Sequence, residues 1–165
     1  MPAKPLPAMK QIGAKIDPLS LLPGIHVDGL SSPASQTIEA LYETFRRRDM
    51  SAIFRLLSPD VEIVQSEKLP WGGRYNGHDG ARQFFGKLGS HINSTLAIER
   101  MIDSGDHVAA IGWTEGTVNA TGVAYRVPIS HLWQVRDGLI VRVQFFIDHP
   151  AMLAALGLEV ADCNN

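Results

Sequence analysis

Glu115 is the carboxylate whose neighbours best suit it to chemistry. It lies in Ile111-Gly112-Trp113-Thr114-Glu115-Gly116-Thr117, where strand alternation sets it on one face with Trp113 and Thr117. A carboxylate beside tryptophan in a dry pocket has a raised pKa and serves as general acid or base. The alternative is an exposed glutamate, or one paired with Arg126 across the next turn. Trp71 and Tyr75 sit on a Gly- and Pro-containing loop over residues 69–77. They are able to close over an apolar ligand, or simply to pack as a lid. Asp148 follows Phe145-Phe146-Ile147 but shares the face of Phe146. It precedes His149-Pro150, which predicts a helix cap rather than a catalytic group.

Other chemistries lack their residues. The six histidines have no metal-ligand spacing and the lone Cys163 completes no site with them, so no metal is expected. Gly72-Gly73 lacks the Lys-Ser/Thr of a phosphate loop, and no serine nucleophile elbow occurs. No cofactor is expected. A net charge of −2 and a single basic run, Arg46-Arg47-Arg48 at a helix end, argue against a nucleic-acid surface. The apolar stretch after Lys4, Lys10 and Lys15 is broken by Asp17, Pro18 and Pro23, so neither a signal peptide nor a membrane span is expected. The location expected is cytoplasmic.

A scaffold must position these residues. The chain has 165 residues, the size of one domain with a core of its own. Its centre is the stretch 123–149, two long strands around the turn Arg136-Asp137-Gly138. On the first arm Tyr125, Val127, Ile129, His131, Trp133 and Val135 share one face. Arg126, Pro128, Ser130, Leu132 and Gln134 share the other. The mixed face suits a pocket lining. The apolar face must be covered by helices or by a second subunit, and a homodimer is expected through Tyr125, Val127, Ile129 and Trp133. His131 on that face reads as a structural or interface histidine.

Upstream, Ser32-Pro33 caps a helix carrying Ile38, Leu41, Tyr42 and Phe45, and Asp49 caps a shorter one. A strand with Val61, Ile63 and Gln65 follows, then the loop, then a helix from His78-Asp79 to about His91. Strands over 96–101 and 108–118 lead into the hairpin, and a short helix ends at Gly157. Residues 1–31 read as an N-terminal arm, 32–157 as the domain and 158–165 as a tail. Helices segregated from consecutive strands predict an α+β fold, a cone-shaped curled antiparallel sheet packed against three helices.

The stretches 40–60 (ALYETFRRRDMSAIFRLLSPD), 69–85 (LPWGGRYNGHDGARQFF) and 135–148 followed by Ala151-Met152-Leu153 resemble the SnoaL-like branch of the nuclear transport factor 2-like superfamily, which includes ketosteroid isomerase. The resemblance spans about residues 35–156. It implies that Leu41, Gln65 and Ser130 stand where the isomerases carry an oxyanion tyrosine, a base and an oxyanion-hole acid. All three differ, and a glutamine cannot abstract a proton at neutral pH. The acidic set of the epoxide-hydrolase branch would fall at Phe145 and near Trp113 and Glu115, of which only Glu115 is acidic. The resemblance implies a small-molecule enzyme with an apolar pocket, doing cofactor-independent acid/base chemistry of isomerase, polyketide cyclase or dehydratase type on a hydrophobic carbonyl substrate. Glu115 would be the acid/base, Ser130 and Gln65 would orient the carbonyl, and Leu41, Trp71, Tyr75, Trp113 and Phe145 would line the pocket. The alternative is a module on the same fold that binds a small ligand or a protein without catalysis.

Overall fold

The structure is a computed structural model describing residues 32–159 and the two-residue strand His26–Val27. The rest of the expected arm, and the tail beyond residue 159, lie outside the described residues. In chain order the elements are β1 (His26–Val27), α1 (Pro33–Arg46), α2 (Met50–Leu56), β2 (Leu57–Gln65), β3 (Gly73–Asn76), α3 (Gly77–His91), β4 (Ile92–Ser104), β5 (His107–Val118), β6 (Ala124–Arg136), β7 (Leu139–Ile147) and α4 (His149–Ala155).

The helix starts follow from their caps. Ser32 accepts from the Ser35 amide at 3.0 Å with Pro33 next in line, and Asp49 accepts from the Ala52 amide at 2.9 Å. Asp148 accepts from the Ala151 amide at 3.1 Å, so it caps α4. The β6–β7 turn has Asp137 and Gly138 both at positive φ, 51° and 75°, the backbone that fits the twist of a tight hairpin.

The strands form one curled sheet in the order β1-β4-β5-β6-β7-β2-β3. All neighbours are antiparallel except β2 and β7, which run parallel. The expected antiparallel sheet has one parallel joint there: β2 leaves the helical layer and joins the free edge of β7. β3, inside the loop expected over 69–77, pairs with β2 and closes the sheet's other edge. Two glycines let the sheet bend. A Cβ on Gly112 would stand 2.1 Å from the Ala97 carbonyl oxygen, and one on Gly116 would stand 1.9 Å from that of Asn93. A register shift between Ile98 and Arg100 adds to the bend.

The helices cover the concave face. Tyr125, Val127, Ile129, His131, Trp133 and Val135 are all buried there, with Ile38 and Leu41 of α1, Ile53 of α2 and Phe84 of α3 in the same core. The face expected to dimerise is therefore filled by the chain's own helices, and no second subunit can use it. The large apolar side chains left in solvent on the sheet point the other way: Ile111, Leu132 and Phe146 are 40%, 41% and 45% exposed. Ile111 and Phe146 flank Ser130 on either side, and Leu132 lies two residues further along β6 on the same face. No described helix is long and apolar enough to cross a membrane.

Candidate functional site

The concave sheet and helices α1 to α3 enclose a narrow cavity of about 90 Å3 that opens to solvent. Its wall is mostly hydrocarbon, with Phe145 as the centre of an aromatic cluster. Phe145 stacks on Phe84 with centroids 5.3 Å apart, and the His131 ring meets its face edge-on at 4.7 Å. Trp133 contacts it edge-on at 5.6 Å. No Asp, Glu, Lys or Arg lines this cavity among the described residues.

The polar groups are few and ordered. The Trp133 indole Nε1–H donates to the Tyr42 hydroxyl oxygen at 2.9 Å, because an indole N–H can only donate. The Tyr42 O–H lies 2.9 Å from His131 Nδ1, the acceptor that uses its hydrogen. His131 then carries its own proton on Nε2. Burial pushes the His131 imidazolium down from 6.5 to about 3, so the ring is neutral at physiological pH. Burial also pushes the Tyr42 phenol well above its ordinary value, against the hydrogen bond from Trp133. The phenol therefore stays protonated and keeps donating.

Gln65 supplies the second polar feature. It is 6% exposed, lines the cavity, and its amide nitrogen has no hydrogen-bond partner. A buried N–H without an acceptor costs free energy, about 1–3 kcal/mol, which a ligand oxygen would recover. Gln65 pairs with Phe145 on β7, and Phe145 pairs with His131 on β6. The three stand in one row across adjacent strands, with two N–H donors flanking an aromatic floor. A third polar group, Ser94 and Thr114 with the buried Tyr125 beside them, marks another part of the wall.

The structure brings together Gln65, Leu41, Trp71 and Phe145, all in the cavity wall. It sets the others elsewhere. Tyr75 is buried next to the cavity, but its hydroxyl donates to the carbonyls of Trp71 and Gly72 at 3.0 and 3.1 Å. It holds the loop that carries Trp71 rather than closing the mouth. Glu115, Trp113 and Ser130 lie on the outer face. Glu115 sits 3.3 Å from Arg126 with 44% of its side chain exposed. The Arg126 guanidinium covers the Trp113 ring at 3.9 Å, and the Trp113 indole donates to Glu99 at 2.9 Å. Glu115 is thus in the cross-hairpin pair with Arg126, and its expected place inside the pocket is corrected. The reason is hydrophobic: the more apolar face of each strand turned inward, onto the helices, and took the cavity with it.

His131, Tyr42, Trp133, Ser94 and Thr114 were missed as cavity groups. One signal existed: His131 is the single imidazole in a strand face otherwise made of aromatic and aliphatic side chains. No group of three His, Cys, Asp or Glu among the described residues is arranged to hold a metal ion.

Comparison with known proteins agrees with this geometry. No curated protein matches the chain. A crystal structure of a nuclear transport factor 2-like protein of unknown function from Burkholderia pseudomallei K96243 is 28% identical, with a TM-score of 0.72 over 76% of this chain and 98% of that one. TerC, co-crystallised with polyporic acid, is 31% identical, with a TM-score of 0.71 over 76% and 99%. A candidate polyketide cyclase from Xanthomonas campestris pv. campestris is 25% identical, with a TM-score of 0.65 over 75% and 96%. The model of the SnoaL-like domain matches residues 38–143, well over half of the chain. The chain belongs to the SnoaL-like family, on the nuclear transport factor 2-like fold.

Proposed function

We propose that the cavity takes a hydrophobic aromatic carbonyl compound and promotes its cyclisation or tautomerisation without a cofactor. The observation that carries this reading is the pairing of a neutral His131 Nε2–H with the unpartnered Gln65 amide in an apolar chamber. Both donate, so both favour oxygen that gains negative charge during reaction. A neutral imidazole acts here as an electrophile. The most economical reaction needs no external base: the enol carbon of a 1,3-dicarbonyl unit bonds to the carbon of a third, remote carbonyl in the same molecule. That carbonyl oxygen becomes an alkoxide held by His131 and Gln65, and it takes up the enol O–H proton. The co-crystallisation of TerC with polyporic acid and the polyketide cyclase assignment of another structural neighbour support a reading in this class.

A second reading is a non-catalytic carrier of the same ligands. It is favoured by the suppressed basicity of His131 and the lack of a lining carboxylate among the described residues. Titration with an aromatic 1,3-diketone that carries a third, remote carbonyl, followed by product analysis, separates the two. Turnover supports the enzyme, and retention of unchanged ligand supports the carrier. Gln65→Leu is expected to weaken the diketone about tenfold while raising unliganded stability by about 1 kcal/mol, since the buried unpaired amide is gone. Equal binding by the variant would remove Gln65 from the site. The proposal extends to a homodimer, through the outer patch of Ile111, Leu132 and Phe146. Leu132→Asp is then expected to shift a dimer to monomer in sedimentation. A wild-type monomer at micromolar concentration would contradict it.

A further inference from the structure

Beside the main cavity lies a second hollow that shares Phe45, Phe85, Leu88, Ile92 and Ser94 with it. Two guanidinium groups line only this hollow, Arg48 and Arg82. They differ in what they hold. Arg82 pairs with Asp79 at 2.7 Å and lies over the Phe54 ring. Arg48 lies over the Phe45 ring at 5.6 Å and donates to the Asn93 side-chain oxygen at 2.9 Å and to the Ser94 carbonyl at 2.7 Å. Among the described residues its acceptors are uncharged, so its positive charge has no carboxylate against it.

The backbone under Arg48 carries a second sign. Its φ is +59°, the left-handed region, at the residue just past the C-cap of α1. The Arg48 amide returns to Phe45 and the Asp49 amide to Thr44, the hydrogen bonds of a helix stop where glycine or asparagine is preferred. A long charged residue there is a local misfit, the kind of strain that clusters at ligand clamps. What arginine adds at this point is a guanidinium delivered to the junction of the two hollows. Its bond to the Ser94 carbonyl sets the guanidinium against a residue that lines both hollows.

We infer that Arg48 forms a subsite for the anionic end of the ligand, a carboxylate carried on an otherwise apolar molecule, at the junction of the cavity and the hollow beside it. The inference deepens the proposed function and rests on the cavity being the ligand site. The ligand would then be an aromatic keto acid rather than a neutral ketone. Its carbonyl would lie toward His131 and Gln65, and its carboxylate toward Arg48.

Two isosteric probes test this by calorimetry, biphenyl-4-carboxylate and biphenyl-4-carboxamide. The wild-type protein is expected to prefer the carboxylate about tenfold at low salt, the order of one charge-assisted hydrogen bond, with the preference shrinking as salt rises. Arg48→Gly and Arg48→Asn both suit the left-handed backbone, so the fold is retained. Each is expected to erase the preference and leave carboxamide affinity unchanged, and Arg48→Lys to keep most of it. Equal binding of the two probes by the wild-type protein, or an unchanged preference in both neutral variants, overturns the subsite alone. If neither probe binds the wild-type protein, the cavity reading fails and takes the subsite with it.

Discussion

Replacing His131 with phenylalanine is expected to cut turnover of an accepted diketone by about 10²- to 10³-fold, the usual loss when one oxyanion donor is removed. The ring volume is kept, so the aromatic cluster with Phe145 and Trp133 survives. What disappears is the Nε2–H at the cavity wall and the acceptor for the Tyr42 hydroxyl. The same variant has a stability signature. The folded pKa of His131 lies near 3, below its ordinary 6.5. Below pH 6.5 the unfolded chain therefore binds a proton that the folded chain refuses, and stability falls as pH drops from about 6.5 toward 3. The loss attached to this one fully buried group is on the order of a few kcal/mol. His131→Phe is expected to flatten the acid side of the stability curve relative to wild type while costing about 1–2 kcal/mol at neutral pH, through the Tyr42 hydroxyl left without an acceptor. Denaturant melts of both proteins from pH 4 to 8 check both parts.

Gly112→Val is expected to be the most damaging single change to the fold. Even the Cβ would stand 2.1 Å from the Ala97 carbonyl oxygen and 2.8 Å from the Ile98 Cα, and both are backbone atoms of the paired strand. Relief requires β4 and β5 to move apart, which opens the bend that makes the cavity. A cost of about 3 kcal/mol or more is expected, near 10 °C in melting temperature for a chain of this length. Gly86→Ala is the matched control. It lies exposed in the middle of α3 with nothing within 4 Å of the added Cβ, and is expected to gain about 0.5–1 kcal/mol.

Elements with local causes were legible in the sequence. Ser32-Pro33, Asp49 and Asp148 announced three helix starts through side chains that cap their own backbone, and Asp137-Gly138 announced the hairpin. The alternation of β6 was also plain, and it correctly grouped Tyr125 with Val127, Ile129, His131, Trp133 and Val135. Period two says which residues share a face. It does not say which face looks inward, because that depends on helices far away in the chain. The mixed face of Ser130 and Glu115 looked like a pocket lining, yet the apolar face won the interior. Its one histidine became one of the cavity's few polar groups. The parallel pairing of β2 with β7 was hidden for the same reason, since strand partners are chosen by tertiary contact. Gln65 and Phe145 came through as cavity residues, and the strand register sets them in one row with His131.

The most direct test of the central claim is the protonation and tautomer of His131, read from its imidazole nitrogens by long-range 1H–15N NMR. The expected result is a neutral ring from pH 5 to 8 with the proton on Nε2 and Nδ1 accepting, and an Nε2 resonance that shifts when an aromatic diketone is added. A ring that titrates near 6.5, or one whose Nε2 ignores the diketone while the ligand binds, would contradict the donor role on which the proposed chemistry depends.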